Sequence, residues 1–202
     1  MNKTKWKGGA LLAPVPPTMV TSSFEGKDNV FTVAWTGIIN TRPAKTYVSV
    51  RPERYSYDLI RKSGEFVINL TTAEMCRNAD LCGTYSGKNV DKFEKYGIAK
   101  AKSFEVSCPS LEDSPVCLEC KVTDVIELGT HHMFLADIVC VSVDESLINK
   151  EGKLCLSRAN LAAYAHGEYF ELGKRIGTFG YSVRKKHKSA KQGKPQARKQ
   201  KK

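Results

Sequence analysis

The chain has 202 residues, of which 41% are hydrophobic and 26% are charged, as expected for one globular domain or a tight pair of subdomains. It contains no run of eighteen apolar residues, and its basic N-terminus lacks the apolar stretch of a secretory signal. We therefore expect neither a membrane span nor export. Seven cysteines, an odd number, favour reduced thiols over a disulfide framework and predict a cytoplasmic protein.

The positive charge is concentrated at one end of the chain. The formal net charge is +11, but residues 184–202 hold ten Lys and Arg and no acidic residue, which leaves 22 basic against 21 acidic residues elsewhere. This terminal stretch has no apolar side chain larger than alanine, so burial cannot offset the entropy cost of ordering it. We predict one folded domain over residues 1–183 and a disordered, lysine-rich tail over residues 184–202.

Most of the domain is predicted to be antiparallel β-sheet. Thr18–Ser23 and Val30–Trp35 read as a hairpin with a long loop at residues 24–29. Val116–Glu127 alternates, whereas His132–Val143 is apolar on both faces, which is typical of a central strand covered on both sides. The two remaining strand candidates are Thr46–Val50 and Glu65–Leu70.

Short helices are expected between the strands. Ser56 is a candidate N-cap of a helix that ends at Gly64, and Thr71 with Glu74 forms a candidate capping box for a helix that ends at Gly83. Two further candidates cover residues 89–96 and 157–165. The sum predicts a mainly β domain, a barrel whose openings are covered by short helices.

The segment from Ser49 to Ile60 is a candidate anion site. A strand ends at Arg51 and a helix opens at Ser56, so two guanidinium groups, Arg51 and Arg54, and the Ser56 hydroxyl would converge beside free backbone N–H groups. A helix N-terminus favours a phosphate dianion, and arginine can bind its oxygens in bidentate fashion. Two or three such bonds give about 5–8 kcal/mol before association costs, so a bound ring would have to add the rest. The alternative is two solvated arginines on a capped helix.

A second polar cluster contains Ser86 and Lys88. Its sequence, GTYSGKNVDKF, lacks the spacing of a Walker loop, but both side chains lie on a turn before a helix and could reach an anion. The alternative is a polar loop between helices.

The histidines and cysteines do not form an obvious metal site. His131 and His132 are adjacent at the start of a strand and face opposite ways, so one could donate a proton or contact a cofactor while the other packs. Cys117 and Cys120 form a C-x-x-C within a strand and also point to opposite faces. We expect no metal, and the absence of G-x-G-x-x-G argues against a Rossmann domain.

Taken in order, these segments resemble the flavin reductase-like family, whose members bind FMN in a split β-barrel, and flavoredoxins are the most similar in pattern. The match spans roughly residues 10–183. The segments that carry it are Pro14-Val15-Pro16, NVFTVAWTG at 29–37, SVRPERYSYDLI at 49–60, GEFVINL at 64–70, Ser86-Gly87-Lys88 with Asp91-Lys92-Phe93, and Gly129-Thr130-His131.

The resemblance implies a cofactor, an assembly and a set of site residues. FMN would lie at a homodimer interface, with its isoalloxazine edge along the backbone of Ala34, Trp35 and Thr36. Its phosphate would be held by Arg51, Arg54 and Ser56, with Ser86 and Lys88 in support. His131 matches the G-x-H position that reductase members place near the nicotinamide, although Thr130 here replaces the more usual acidic residue.

Three functions follow as hypotheses. The first is an NAD(P)H-dependent oxidoreductase that passes electrons through FMN to a flavin, ferric or protein acceptor, the nicotinamide stacking directly on the flavin. The second is an FMN electron carrier reduced by a partner protein. The third, suggested by the tail alone, is weak nucleic-acid binding through counterion release.

Overall fold

The computed structural model describes residues 1–184 of the chain. Its strands are β1 (Thr18–Phe24), β2 (Lys27–Val33), β3 (Thr36–Thr41), β4 (Ala44–Val50), β5 (Glu65–Asn69), β6 (Lys100–Ala101), β7 (Ser110–Leu111), β8 (Val116–Glu127), β9 (His132–Val143), β10 (Ala162–Ala165) and β11 (Glu168–Glu171). Its α-helices are α1 (Tyr55–Ser63), α2 (Cys76–Thr84) and α3 (Lys92–Tyr96), with single 3-10 turns at Glu145–Leu147, Leu156–Arg158 and Tyr181–Val183. Apart from Arg184, the predicted tail lies outside the described residues. Among residues 1–184, no helix has both the length and the apolar character of a membrane span.

The domain is mainly β, as predicted, and is built on one antiparallel sheet of seven strands in the order β2-β1-β5-β8-β9-β4-β3. The sheet curls into a split barrel around buried side chains from β1, β2, β4, β5 and β9, among them Val20, Phe31, Val48, Phe66 and Phe134. Burial of these large apolar groups stabilises the closed shape, at roughly 1.5–3 kcal/mol for each side chain.

The helices cover the barrel in two places. Tyr57 and Ile60 of α1 pack into the barrel core and close one opening. Ala79 and Cys82 of α2 pack against Met19 and Val30 on the other face of β1 and β2, together with Phe93 of α3. This arrangement leaves the end of β2, the end of β4 and the start of α1 next to one another.

The first hairpin is tighter than predicted. The loop expected at residues 24–29 is a two-residue turn at Glu25 and Gly26, whose φ angles are 50° and 75°, and β2 already begins at Lys27. Positive φ at both central residues is the geometry that matches the twist of a two-residue hairpin. The polar residues Lys27, Asp28 and Asn29 therefore belong to the ladder, where Asn29 pairs with Ser22.

Two predicted helix caps are wrong. The N-cap of α1 is Arg54, without a side-chain cap, because the Ser56 hydroxyl is already bonded within the core. The second helix begins at Cys76, not after Thr71, because the Thr71 carbonyl accepts from the N–H of Ala162 and keeps this segment extended. The predicted end at Gly64 is confirmed, with a left-handed φ of 70°.

The helix predicted for residues 157–165 is also wrong. Only the turn Leu156–Arg158 is helical, and Ala162–Ala165 is strand β10, paired with β11. His166 and Gly167 form the tight turn between them, with φ of 51° and 95°. The glycine that suggested a helix end is thus a hairpin glycine, and this hairpin carries two tyrosines of the site.

Strand β9 is central but only partly covered. It pairs with β8 on one side and β4 on the other, as predicted, yet Val139 and Val141 are 39% and 49% exposed. Cys117 and Cys120 of β8 lie in different apolar clusters, which confirms that they face opposite ways, and all seven cysteines are free thiols.

Candidate functional site

Two adjoining cavities lie where β2, β4, α1 and α2 meet. The aromatic cavity has a volume of about 320 Å³ and is walled by Phe31, Trp35, Tyr164 and Tyr169. The cationic cavity has a volume of about 310 Å³ and contains Arg51, Arg54 and Lys92. The two share five lining residues, so they form one continuous groove: Phe31, Thr32, Arg51, Arg54 and Gly83.

The two predicted arginines lie at the junction of the cavities. The Arg51 Nε group is 3.0 Å from a carboxylate oxygen of Glu53, and both side chains are largely exposed. Arg54 donates from Nη1 to the Gly83 carbonyl at 3.5 Å. Each guanidinium keeps further N–H groups that can bind an anion. Tyr55 and Ser56, the first two residues of α1, also line the cationic cavity, and the backbone N–H groups at the start of a helix favour an anion.

Ser56 is fully buried at the floor of the cationic cavity. Its hydroxyl accepts hydrogen bonds from Ser22 Oγ at 2.9 Å and from Asn29 Nδ2 at 2.7 Å. A hydroxyl that accepts two bonds still has its own proton to donate. Ser56 is therefore a candidate donor to a bound oxyanion, although it does not cap the helix.

Lys92, which is only 2% exposed, also lines the cationic cavity. Its ammonium donates to the carbonyl oxygens of Val30 at 2.7 Å and Cys82 at 2.8 Å. Burial, with a smaller contribution from the positive charge of Arg54, lowers the pKa of this ammonium from 10.5 to about 8. Two of the three N–H donors are thus occupied, and one remains for an anion in the cavity.

Gly87 forms a close backbone approach at the rim of the cationic cavity. A Cβ atom at this position would collide with the Asn29 side chain and would lie 2.5 Å from Cδ1 of Tyr55. Only glycine lets the loop lie this close to the start of α1.

The structure separates the two other predicted anion contacts. Ser86 lines the cationic cavity, and its hydroxyl accepts from the N–H of Lys88 at 3.3 Å. The Lys88 side chain is exposed and lines neither cavity. Lys92, four residues later, lines the cationic cavity instead, because α3 turns its side chain inward.

The predicted backbone edge lies partly in the aromatic cavity. Ala34 and Trp35 line it, in the bend between β2 and β3. The Trp35 carbonyl accepts from the N–H of Ser49 at 2.9 Å, which holds this bend against β4. Thr36, the next residue, does not line the aromatic cavity. Its hydroxyl donates to the Tyr47 carbonyl at 2.5 Å.

The two adjacent histidines diverge as predicted. His131 lines the aromatic cavity beside Arg51 and its Nδ1 lies 3.0 Å from the Thr130 hydroxyl. Burial, and then the positive charge of Arg51, lowers the pKa of this imidazole, so it is neutral at pH 7. His132 points to the core, with Nδ1 at 2.8 Å from the Tyr57 hydroxyl.

The hairpin β10–β11 supplies the opposite wall of the aromatic cavity. The rings of Tyr164 and Tyr169 pack edge to face, with centroids 5.3 Å apart. Burial and the nearby Asp80 carboxylate raise the pKa of Tyr169 to about 12, so its hydroxyl stays protonated. Asp80 also lines the cavity.

Sequence reasoning missed several lining residues, notably Asn29, Asp80, Lys92, Tyr164 and Tyr169. Asn29 and Lys92 were inside the quoted segments NVFTVAWTG and Asp91-Lys92-Phe93, but nothing in their spacing distinguishes a buried lysine from a solvated one. Tyr164 falls within the helix predicted for residues 157–165, and Tyr169 lies in β11, for which no strand is predicted from the sequence.

Comparison with known proteins identifies the family of this chain. The model of a family described as flavin reductase like domain matches residues 11–173. An uncharacterized protein of Archaeoglobus fulgidus is 32% identical over 142 residues, which cover 70% of this chain and 78% of that protein. Among solved structures, the flavoredoxin of Desulfovibrio vulgaris (Miyazaki F) is 28% identical with a TM-score of 0.84, and the alignment covers 91% of this chain and 100% of that chain. An FMN-binding protein from Thermus thermophilus with bound 1-cyclohex-2-enone shares the fold at 21% identity and a TM-score of 0.73, covering 88% of this chain and 99% of that chain. The chain therefore belongs to the flavin reductase-like family.

Proposed function

We propose that this protein is an FMN-binding oxidoreductase that passes electrons from NAD(P)H through bound FMN to a flavin, ferric or protein acceptor. The observation that carries this proposal is the continuity of the two cavities, one rich in cationic and hydroxyl donors and the other walled by aromatic rings. A flavin mononucleotide needs both environments, a few ångströms apart.

The donor set fits the phosphate end of FMN. Arg51, Arg54 and Lys92 bring three positive charges to one cavity, and the Ser56 hydroxyl has a free proton. No acidic residue except Glu53, which is paired with Arg51, lines this cavity in the described part of the chain. Binding of a dianion would thus neutralise charges that now repel one another.

The aromatic cavity fits a planar ring. Its volume of about 320 Å³ lies at the lower end of the range for small-molecule sites. Trp35, Tyr164 and Tyr169 would exclude water from one side of the ring, and backbone groups at residues 33–35 offer donors and an acceptor along its edge. Similarity to a protein described as FMN-binding and to a flavoredoxin supports FMN as the group held there.

FMN, when bound, supplies the hydride-accepting and electron-passing chemistry. The chain itself would orient the ring against the nicotinamide and keep the cavity dry. The neutral His131 imidazole lines the aromatic cavity, where it would contact the nicotinamide or hold a proton. Arg51 and Arg54 place positive charge next to the ring, which favours the reduced, anionic form of the cofactor.

We also propose that the protein acts as a homodimer, as the resemblance implies, in the cytoplasm. The edge strand β3 carries two adjacent exposed isoleucines, Ile38 and Ile39, which are 62% and 47% exposed. An exposed apolar sheet edge is a typical interaction surface. Sedimentation velocity should show a dimer for the wild type. Ile38→Asp should weaken this dimer, whereas the control Leu156→Asp, on a 3-10 turn elsewhere, should leave it intact. A wild-type monomer would contradict this assembly.

The seven free thiols support the cytoplasmic location.

A carrier function is the second candidate. Similarity to a flavoredoxin at 28% identity favours an FMN protein that is reduced by a partner protein and not by NAD(P)H. Weak nucleic-acid binding through the tail stays a prediction, because residues 185–202 lie outside the described residues.

The test is an absorbance spectrum of the purified protein, followed by anaerobic addition of NADH and NADPH. We expect flavin bands that either nucleotide bleaches. Arg51→Ala should lose most of the bound flavin, whereas Arg61→Ala, on the far end of α1, should keep it. Flavin bands that persist with both nucleotides would favour the carrier, and a protein that takes up no FMN would refute both readings.

A further inference from the structure

A third cavity of about 350 Å³, the flanking cavity, opens beside the aromatic cavity. Its walls are the N-terminal segment, with Leu11, Leu12 and Val15, and the β10–β11 hairpin, with Tyr164 and His166. Two backbone hydrogen bonds join these walls: Val15 donates to Tyr164 at 2.9 Å and Tyr164 donates back at 2.8 Å. The N-terminal segment is thereby held in place at the edge of the site.

The chemistry of the flanking cavity differs from that of the groove. No Lys, Arg, Asp or Glu lines it in the described part of the chain, and its only polar side chains are those of Trp35, Tyr164 and His166. Desolvation would penalise a charged occupant without a partner. The cavity therefore selects a neutral, largely apolar ligand with one or two hydrogen-bonding atoms.

The position of the flanking cavity gives it a connection to the redox site. Trp35 and Tyr164 line both the flanking cavity and the aromatic cavity. An occupant would thus be separated from a ring in the aromatic cavity by no more than one aromatic side chain. Planar ligands pack well against such side chains.

We propose that the flanking cavity binds a neutral planar quinone, which serves as an electron acceptor. This inference rests on the proposed function for the source of the electrons. NAD(P)H gives up two electrons and one proton and becomes NAD(P)⁺. The quinone accepts the two electrons across the aromatic side chain together with two protons, a net uptake of one proton from solvent, and leaves as the hydroquinone. His166, which lines the cavity, would donate a hydrogen bond to a quinone oxygen.

The test uses tetramethyl-1,4-benzoquinone, whose ring carries no hydrogen that the free thiols could displace. Binding is measured on the protein as purified, as quenching of Trp35 fluorescence in a Trp6→Phe background that leaves a single tryptophan. Leu11→Glu places a carboxylate in the wall of the cavity, and Leu172→Glu is the matched control, since the two leucines are 52% and 60% exposed and Leu172 lines none of the three cavities.

We expect saturable quenching that weakens about tenfold or more in Leu11→Glu, because a carboxylate in an apolar wall must stay hydrated, and that is unchanged in Leu172→Glu. NADH-dependent quinone reduction should fall in parallel, while reduction of ferricyanide, a hydrophilic anion, should not. Quenching that never saturates, or that Leu11→Glu leaves unchanged, would overturn the proposal. A protein without flavin that still shows saturable, Leu11-dependent quenching would refute the proposed function and leave the quinone site standing.

Discussion

The ammonium group of Lys92 donates a hydrogen bond to the carbonyl oxygen of Cys82 at 2.8 Å. Cys82 lies in the last turns of α2 and Lys92 opens α3, so this bond fastens the loop between the two helices beneath the cationic cavity. The same ammonium reaches Val30 of β2. One buried charge thus connects the sheet, two helices and the proposed phosphate site.

Lys92→Met is expected to weaken FMN binding by about 10- to 100-fold, the loss of one charge-assisted hydrogen bond. The methionine side chain can fill the same apolar path, so the fold should persist. Fluorescence titration of the protein with FMN measures the change. Lys62→Met, which removes a charge from the last turn of α1 outside both cavities, is the control and should bind FMN normally. Riboflavin, which has no phosphate, should bind both variants alike; equal loss for FMN and riboflavin would contradict a phosphate contact.

The affinity for FMN should fall as the pH rises above about 8. Burial lowers the pKa of the Lys92 ammonium from 10.5 to about 8, and deprotonation removes the charge and the free donor that a phosphate would use. The decrease should approach tenfold for each pH unit above that value. The stability of the protein without FMN should change in the opposite direction. Below pH 8 the buried ammonium lowers the free energy of unfolding, and loss of its proton removes this cost between about pH 8 and 10.5. Titrations from pH 7 to 9.5 should show this slope for the wild type and a flat line for Lys92→Met.

Gly87→Ala should reduce FMN binding without unfolding the barrel. The new Cβ would lie 2.5 Å from Cδ1 of Tyr55 and would collide with Asn29, whose amide holds Ser56. The loop must therefore move away from the start of α1. This movement would displace Asn29 and with it the Ser56 hydroxyl, so that both would lose their positions in the cationic cavity. Gly173→Ala, where a Cβ meets nothing within 4 Å, is the matched control. The comparison is made by FMN titration and by circular dichroism, and normal FMN affinity in Gly87→Ala would show that the loop tolerates the shift.

These residues also show why some of the site was predictable and some was not. Arg51 and Arg54 follow a strand and precede a helix, and that local order is enough to bring them together. Lys92 reaches the cavity only because α3 packs on β2, and Tyr169 only because residues 168–171 return as a strand beside residues 162–165. Long-range pairing of this kind produces no local pattern in the sequence from which it could be predicted. The false helix at residues 157–165 arose for the same reason, since its alanines have high helix propensity but are overridden by pairing with β11.

Glu119→Ala should destabilise the domain by about 2–4 kcal/mol, because buried donors would lose a charged acceptor. Glu119 is fully buried on β8, and its carboxylate accepts from the N–H groups of Phe104 at 3.1 Å and Glu105 at 2.6 Å. These hydrogen bonds hold the segment between β6 and β7 against the sheet. Residues of this segment and of the sheet form the apolar cluster of Val67, Val106, Cys108 and Cys117.

Urea denaturation of Glu119→Ala measures this loss, with Glu112→Ala, an exposed carboxylate just after β7, as the control. Glu119 lines neither the aromatic nor the cationic cavity, so the FMN affinity of the folded Glu119→Ala protein should equal that of the wild type. If the two alanine variants were equally stable, the two N–H groups would have to find water as a partner. In that case Glu119 would not be what holds the segment to the sheet.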